Sequence, residues 1–269
     1  MSGVVEAGAW GLLAGSALLV GVVEAGAWGL LAGSALLVGA VLGYALRIPR
    51  LVIASVMAFG AGVLLSAVSF ELIAEAHAEA GLVPAVVGTL AGAAAYTAGN
   101  IALARRGARH RKRSGRPRKQ PSEGQQAGSG LALALGALLD GVPESAVIGV
   151  GLAQGGAVST VTVAAVFISN IPEGLSSSAG MRRAGRGKGY VFGVWGAIAV
   201  AGMVSAMVGY AVVGGLPAFV VATVTAVAAG AILAMIADTM IPEAFEDTHL
   251  AIGVITVCGF LVSFALSHA

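Results

Sequence analysis

Two short stretches hold the residues best suited to chemistry. LLDGVPESAVIGVGLA carries Asp140, Pro143 and Glu144, and FISNIPEGLSSSAG carries Ser169, Asn170, Pro172, Glu173 and Gly174. They align as D-G-V-P-E-S with S-N-I-P-E-G, 29 residues apart. Each places two oxygen-bearing side chains at i and i+4, on one face of a helix. Each also has a proline immediately before its glutamate. Proline lacks an N–H, so the carbonyl four residues back (Leu139 or Ile168) loses its helical partner. In hydrocarbon such a carbonyl has to be satisfied, and a cation or water in a polar cavity does so. Two such helices facing each other would present Asp140, Glu144, Ser169, Asn170, Glu173 and backbone oxygen to one ion. That is a hard, oxygen-rich cage.

A second pair of segments is also alike. F-E-L-I-A-E-A carries Glu71 and Glu75, and D-T-M-I-P-E-A carries Asp238 and Glu243. Glu75 aligns with Glu243, and Glu71 with Thr239. These residues, with His77 and His249 near the span ends, are candidates for an access or release path. Their other reading is a kinked helix with a glutamate snorkelling to the interface. It applies most directly to Glu75, Glu79, Glu246 and Asp247.

The elements that position these residues follow from composition. The 269 residues are 58% hydrophobic and 10% charged, against roughly 25% charged in soluble domains. Most of the surface therefore faces lipid, and the fold class is all-α: a polytopic membrane helix bundle. Apolar runs of about 20 residues fall near 22–45, 51–76, 82–104, 130–153, 157–180, 190–213, 217–244 and 250–267. All 15 Lys and Arg fall in the odd-numbered connections: Arg47 and Arg50, then nine between Arg105 and Lys119, then Arg182, Arg183, Arg186 and Lys188. The positive-inside rule puts that side in the cytoplasm, with both termini outside and the protein multi-pass in a plasma or inner membrane.

The long third connection, residues 105–129, is basic, then rich in Pro, Gly and Gln. It reads as a disordered topogenic loop rather than a nucleic-acid contact. At the N-terminus, GVVEAGAWGLLAGSALLV at residues 3–20 recurs verbatim at 21–38. Residues 21–45 are read as the first span and 1–20 as a duplicated apolar extension. No basic-then-apolar leader precedes the first span. The single Cys258 can build neither a disulfide nor a Cys-rich metal site. The Gly-rich helices suit close packing, either internally or in a homodimer.

With these features together, the chain resembles the ZIP family of zinc/iron-regulated-transporter-like divalent-metal carriers. The Pro-Glu motifs of spans four and five carry the resemblance, SNIPEG most specifically. The IPEA-like ends of spans two and seven, eight spans, outside termini and a long third connection add to it. The resemblance covers most of residues 22–269. It implies a three-plus-two-plus-three arrangement with an inverted repeat, and import of divalent metal as substrate (zinc, manganese, iron, cobalt or cadmium) with no prosthetic group. It also implies motion of one helix bundle past another.

Glu144 and Glu173 match the family's ligand glutamates, and Asn170 its Asn/Asp ligand. The chain departs from the pattern elsewhere. Asp140 stands where the family has His, Gly141 where it has Asn, and Ser169 where it has His or Gln. Thr239 stands where an acidic residue is frequent, and the third connection lacks a His-rich tract. Carboxylate and carbonyl ligands favour manganese-like hard ions over zinc.

The expectation is thus a secondary carrier of divalent cations and not an enzyme. No P-loop, GxSxG or HExxH occurs in a suitable context. Two alternatives are a ZIP-like protein that binds or senses metal without transport, and a proton-coupled carrier of a small solute using Glu173.

Overall fold

A computed structural model describes residues 2–108, 120, 122, 124–154, 160–213, 215–245 and 251–268, with side chains from residue 16 onward. Among the described residues every regular element is a helix and there is no strand. The rods are α1 (Ser2–Ala45), α2 (Arg50–Ala80), α3 (Leu82–Ala104), α4 (Ser129–Ala153), α5 (Thr160–Arg183), α6 (Lys188–Val213), α7 (Ala218–Phe245) and α8 (Ile252–Ser267). Six of them, α1 from Ser16 onward with α2, α3, α4, α6 and α7, are long and apolar enough to cross a membrane. The protein is a multi-pass α-helical membrane protein. The other two differ for physical reasons. α5 is long enough, but its Ser, Thr and Asn residues make it polar. α8 is apolar but spans only 16 residues.

α1 is one uninterrupted helix of 44 residues, about 66 Å long, so the two repeat copies are continuous with each other. The second copy is packed: its Gly21, Gly26 and Gly29 lie against Tyr210, Met207 and Ala206 of α6.

Packing sorts the rods into two groups of four. In one, α1 packs on α5 and α6, and α4 on α6. In the other, α2 packs on α8, and α3 on α7. The groups meet where α2 faces α5 and where α7 and α3 face α4.

α2 and α7 match at an offset of 168 residues. Each starts after a proline N-cap (Pro49, Pro217) of nearly identical backbone angles, and each runs 18 α-helical residues. Each then widens into a π-helical stretch, Val68–Ile73 and Ile236–Met240, starting at aligned residues. Pro242 follows the second stretch while Ala74 holds the aligned place in α2, so proline is not the shared cause. The glycine contacts are matched as well. A Cβ on Gly62 of α2 would overlap the Thr256 carbonyl of α8, and one on Gly230 of α7 would overlap the Thr89 carbonyl of α3. Reciprocally, Gly259 abuts the Phe59 carbonyl and Gly92 the Val227 carbonyl. Without hydrophobic driving force between helices in lipid, such backbone contact supplies the packing.

One end of the rods is basic. There Arg182 donates to the Tyr44 carbonyl, Arg186 Nη2 donates to Ser129 Oγ at 2.8 Å, and Tyr190 Oη donates to the Gly130 carbonyl at 2.5 Å. These bonds tie the ends of α1, α4, α5 and α6 together. The far end carries Glu75 and Glu79.

Gly230→Leu is expected to destabilise the α3–α7 pair by about 1–3 kcal/mol or more. Gly196→Leu on α6, where a Cβ meets nothing within 4 Å, should change little. Thermal denaturation of the detergent-solubilised variants measures both, and equal melting temperatures would remove the close-contact account.

Candidate metal site

The motif helices α4 and α5 run antiparallel, with Pro143 and Pro172 inside unbroken helices. At about 1.5 Å per residue, Asp140 stands about 16 Å in from Ser129, and Glu173 about 15 Å in from Arg183. Glu144 is then about 22 Å in, and Asn170 about 20 Å. Counted from these helix ends, Asp140 lies about as deep as Glu173, and Glu144 about as deep as Asn170 and Ser169. All five are buried: Asp140 and Glu144 are 1% exposed, Ser169 0%, Asn170 4% and Glu173 3%.

Small residues let α5 into this position. A Cβ on Gly60 of α2 would stand 3.1 Å from Pro172 Cγ and 3.3 Å from Ser169 Cα. On the other side, a Cβ on Gly174 would overlap the Leu36 carbonyl of α1.

The Asn170 amide is oriented by chemistry. Its Nδ2 donates to the Ala32 carbonyl of α1 at 3.0 Å. A carbonyl only accepts, which fixes the nitrogen on that side. Asn170 Oδ1 is then left buried with no hydrogen-bond partner among the described residues. Ser169 donates its hydroxyl to the Val166 carbonyl at 2.9 Å, so its oxygen lone pairs remain as acceptors. Asp140 is engaged elsewhere: Tyr96 Oη of α3 donates to its Oδ1 at 2.6 Å.

Among the described residues, no three His, Cys, Asp or Glu side chains converge on a point that could hold a metal ion. A cation at this level would draw on glutamate carboxylates completed by Asn170 Oδ1, Ser169 Oγ and backbone oxygen.

The path residues separate to the two ends. Glu75 and Glu79 line a cavity of about 420 Å³ with Gln154, Val213 and Leu216, where α2, α4, α6 and α7 end or begin. Glu71 is half-buried on the π stretch of α2. His77 is exposed and lines a separate apolar cavity of about 330 Å³ with Ile73 and Leu82. Toward the basic end, Glu243 is 6% exposed and its Oε1 accepts from Ser176 Oγ at 2.9 Å. Asp238 is exposed and accepts from Asn100 Nδ2 at 3.2 Å. His249, Glu246 and Asp247 lie outside the described residues, as does most of the basic third connection.

The chain matches no protein-family model and no curated protein.

Sequence reasoning missed Tyr96, Asn100, Ser176 and Gln120. A signal existed for the first two, which stand four apart on one face of an otherwise apolar span. Gln120 belongs to a connection read as disordered, yet it is 2% exposed and its Nε2 donates to the Ser177 carbonyl at 3.0 Å.

With chelator present, Asn170→Ala should lower stability by about 1 kcal/mol, the net worth of one hydrogen bond. Asn170→Asp should lower it at least as much, since an ionised carboxylate cannot donate to Ala32. Melting curves of the two variants check this; an Asp variant as stable as the parent would contradict the assigned amide orientation.

Proposed function

We propose that this chain is a ZIP-like secondary carrier that moves divalent metal cations into the cytoplasm through a carboxylate-lined site between α4 and α5. The observation that carries this reading is the Asn170 amide, whose buried Oδ1 is left as an acceptor at the level of Glu144, one turn from Glu173. A membrane interior tolerates an oxygen-only cluster of this kind where a cation or water completes it. The matched, oppositely directed α2 and α7 add support, because inverted repeats around a mid-membrane site are a common plan of secondary transporters.

On this reading all eight rods cross the bilayer in the family's inverted-repeat plan. α5 tolerates its polarity because its polar face is turned into protein, where Ser176, Ser177 and Ser178 are buried. The basic end is cytoplasmic, and the Glu75–Glu79 cavity is the outer mouth. The absence of imidazole among the site residues favours manganese-like ions over zinc.

Metal binding without transport is the second reading. It is favoured by the lack of three converging metal-ligating side chains among the described residues.

Uptake of zinc, manganese, iron, cobalt and cadmium into liposomes holding the purified protein decides between them. Saturable uptake that vanishes in Glu144→Ala/Glu173→Ala is expected. Saturable binding with no flux would favour the second reading, and normal uptake by the folded double variant would remove the site.

A further inference from the structure

Two buried hydrogen bonds cross from one group of four helices to the other. Tyr96 Oη of α3 donates to Asp140 Oδ1 of α4 at 2.6 Å, and Ser176 Oγ of α5 donates to Glu243 Oε1 of α7 at 2.9 Å. All four side chains are buried, at 2%, 1%, 0% and 6% exposure respectively. Both bonds lie nearer the basic end than Glu144 does. At that same end Gln120 reaches back to the Ser177 carbonyl. At the other end, a cavity of about 420 Å³ is lined by Glu75, Glu79 and Gln154. Polar bonds thus tie the groups together at the basic end, while at the acidic end they meet through the apolar contact of Val150 and Val213 with Val221, beside the cavity.

The acceptors of these ties follow a pattern. Within the α1–α4–α5–α6 group, Asn170 and Ser178 donate to the backbone carbonyls of Ala32 and Ala40. The two buried bonds described between the groups end on carboxylates instead, as does the exposed Asn100–Asp238 bond inside the other group. A carboxylate strengthens a hydrogen bond through its charge. A divalent cation bound to that carboxylate withdraws the charge and sets positive charge beside the hydroxyl proton. Backbone carbonyls inside a group offer no comparable point of competition.

We propose that Tyr96 and Ser176 form the gate at the basic end of the ion path, and that the cation opens it by taking the Asp140 and Glu243 carboxylates from them. The opening step rests on the cation-transport reading; the gate itself does not. Tyr96 and Ser176 are positioning residues. Their hydroxyls hold the two helix groups in register until the ion exchanges for them. Asp140 then serves first as a tie and only afterwards as a ligand.

A thiol reporter tests the gate without measuring transport. In the full chain with Cys258→Ser, Ser177→Cys places the reporter thiol beneath Gln120. Its rate of reaction with a charged maleimide is measured in detergent. Tyr96→Phe and Ser176→Ala are each expected to speed the reaction about tenfold, the effect of losing one hydrogen bond to a charged group. Mn²⁺ should speed it in the gate-intact protein and add nothing in the Tyr96→Phe/Ser176→Ala double variant. Ser178→Ala, which loses a bond inside one group, should leave the rate unchanged.

If neither gate variant speeds the reaction, or Ser178→Ala speeds it as much, the proposal is overturned. Acceleration by the variants with no response to Mn²⁺ overturns opening by the cation. Absent uptake in liposomes beside a responsive reporter would instead sink the transport reading and leave the gate standing.

Discussion

Burying ionisable oxygen in a low-dielectric interior is the constraint on which the rest of this structure depends. Asp140, Glu144, Glu173 and Glu243 are all at most 6% exposed, in a protein whose outer surface is largely apolar. A carboxylate left uncompensated there costs several kcal/mol. The fold meets this by surrounding α5 rather than exposing it. α1 lies on one side, α2 on another, and α4 crosses briefly. The polar face of α5, from Ser169 through Ser178, is thereby turned into protein. That enclosure is why the helix most concerned with chemistry is the one least like a membrane span in composition.

Enclosing a polar helix this closely requires small residues on its neighbours. Gly60 admits Pro172 and Ser169, while Gly174 abuts the backbone of α1. In the other group, Gly62 with Gly259 and Gly230 with Gly92 bring α2 against α8 and α7 against α3 in matched fashion. Packing is thus close within each group and, at Gly60, between them. Between the groups, the Tyr96–Asp140 and Ser176–Glu243 bonds fall on buried carboxylates. The π-helical stretches lie in α2 and α7, both in the α2–α3–α7–α8 group. Wide turns of this type are frequent at functional sites, and here they carry Glu71 and Asp238.

The helical class, the boundaries of the seven rods after α1 to within about four residues and the gathering of basic residues at one end were legible in the sequence. Each depends on local composition and on charge repeated along the chain. Three features were not. The Tyr96–Asp140 bond joins residues 44 apart on different helices, and nothing local announces it. The π stretches recur at aligned positions, yet only one is followed by proline, so no residue type marks them. Gln120 lies in a segment whose composition reads as disordered, and its burial depends on the end of α5 that receives it. α1 runs without a break through both repeat copies. An apolar helix has no local reason to stop at Val20.

The central claim is that Glu144, Glu173 and Asn170 complete one oxygen site for a divalent cation. The most direct test is the stoichiometry of Mn²⁺ bound to purified protein, read by electron paramagnetic resonance as loss of the free-ion signal. The account predicts one tightly held ion per chain, lost in Glu173→Gln and weakened in Asn170→Ala. Binding that is absent in the folded parent protein, or unchanged in both variants, would contradict it.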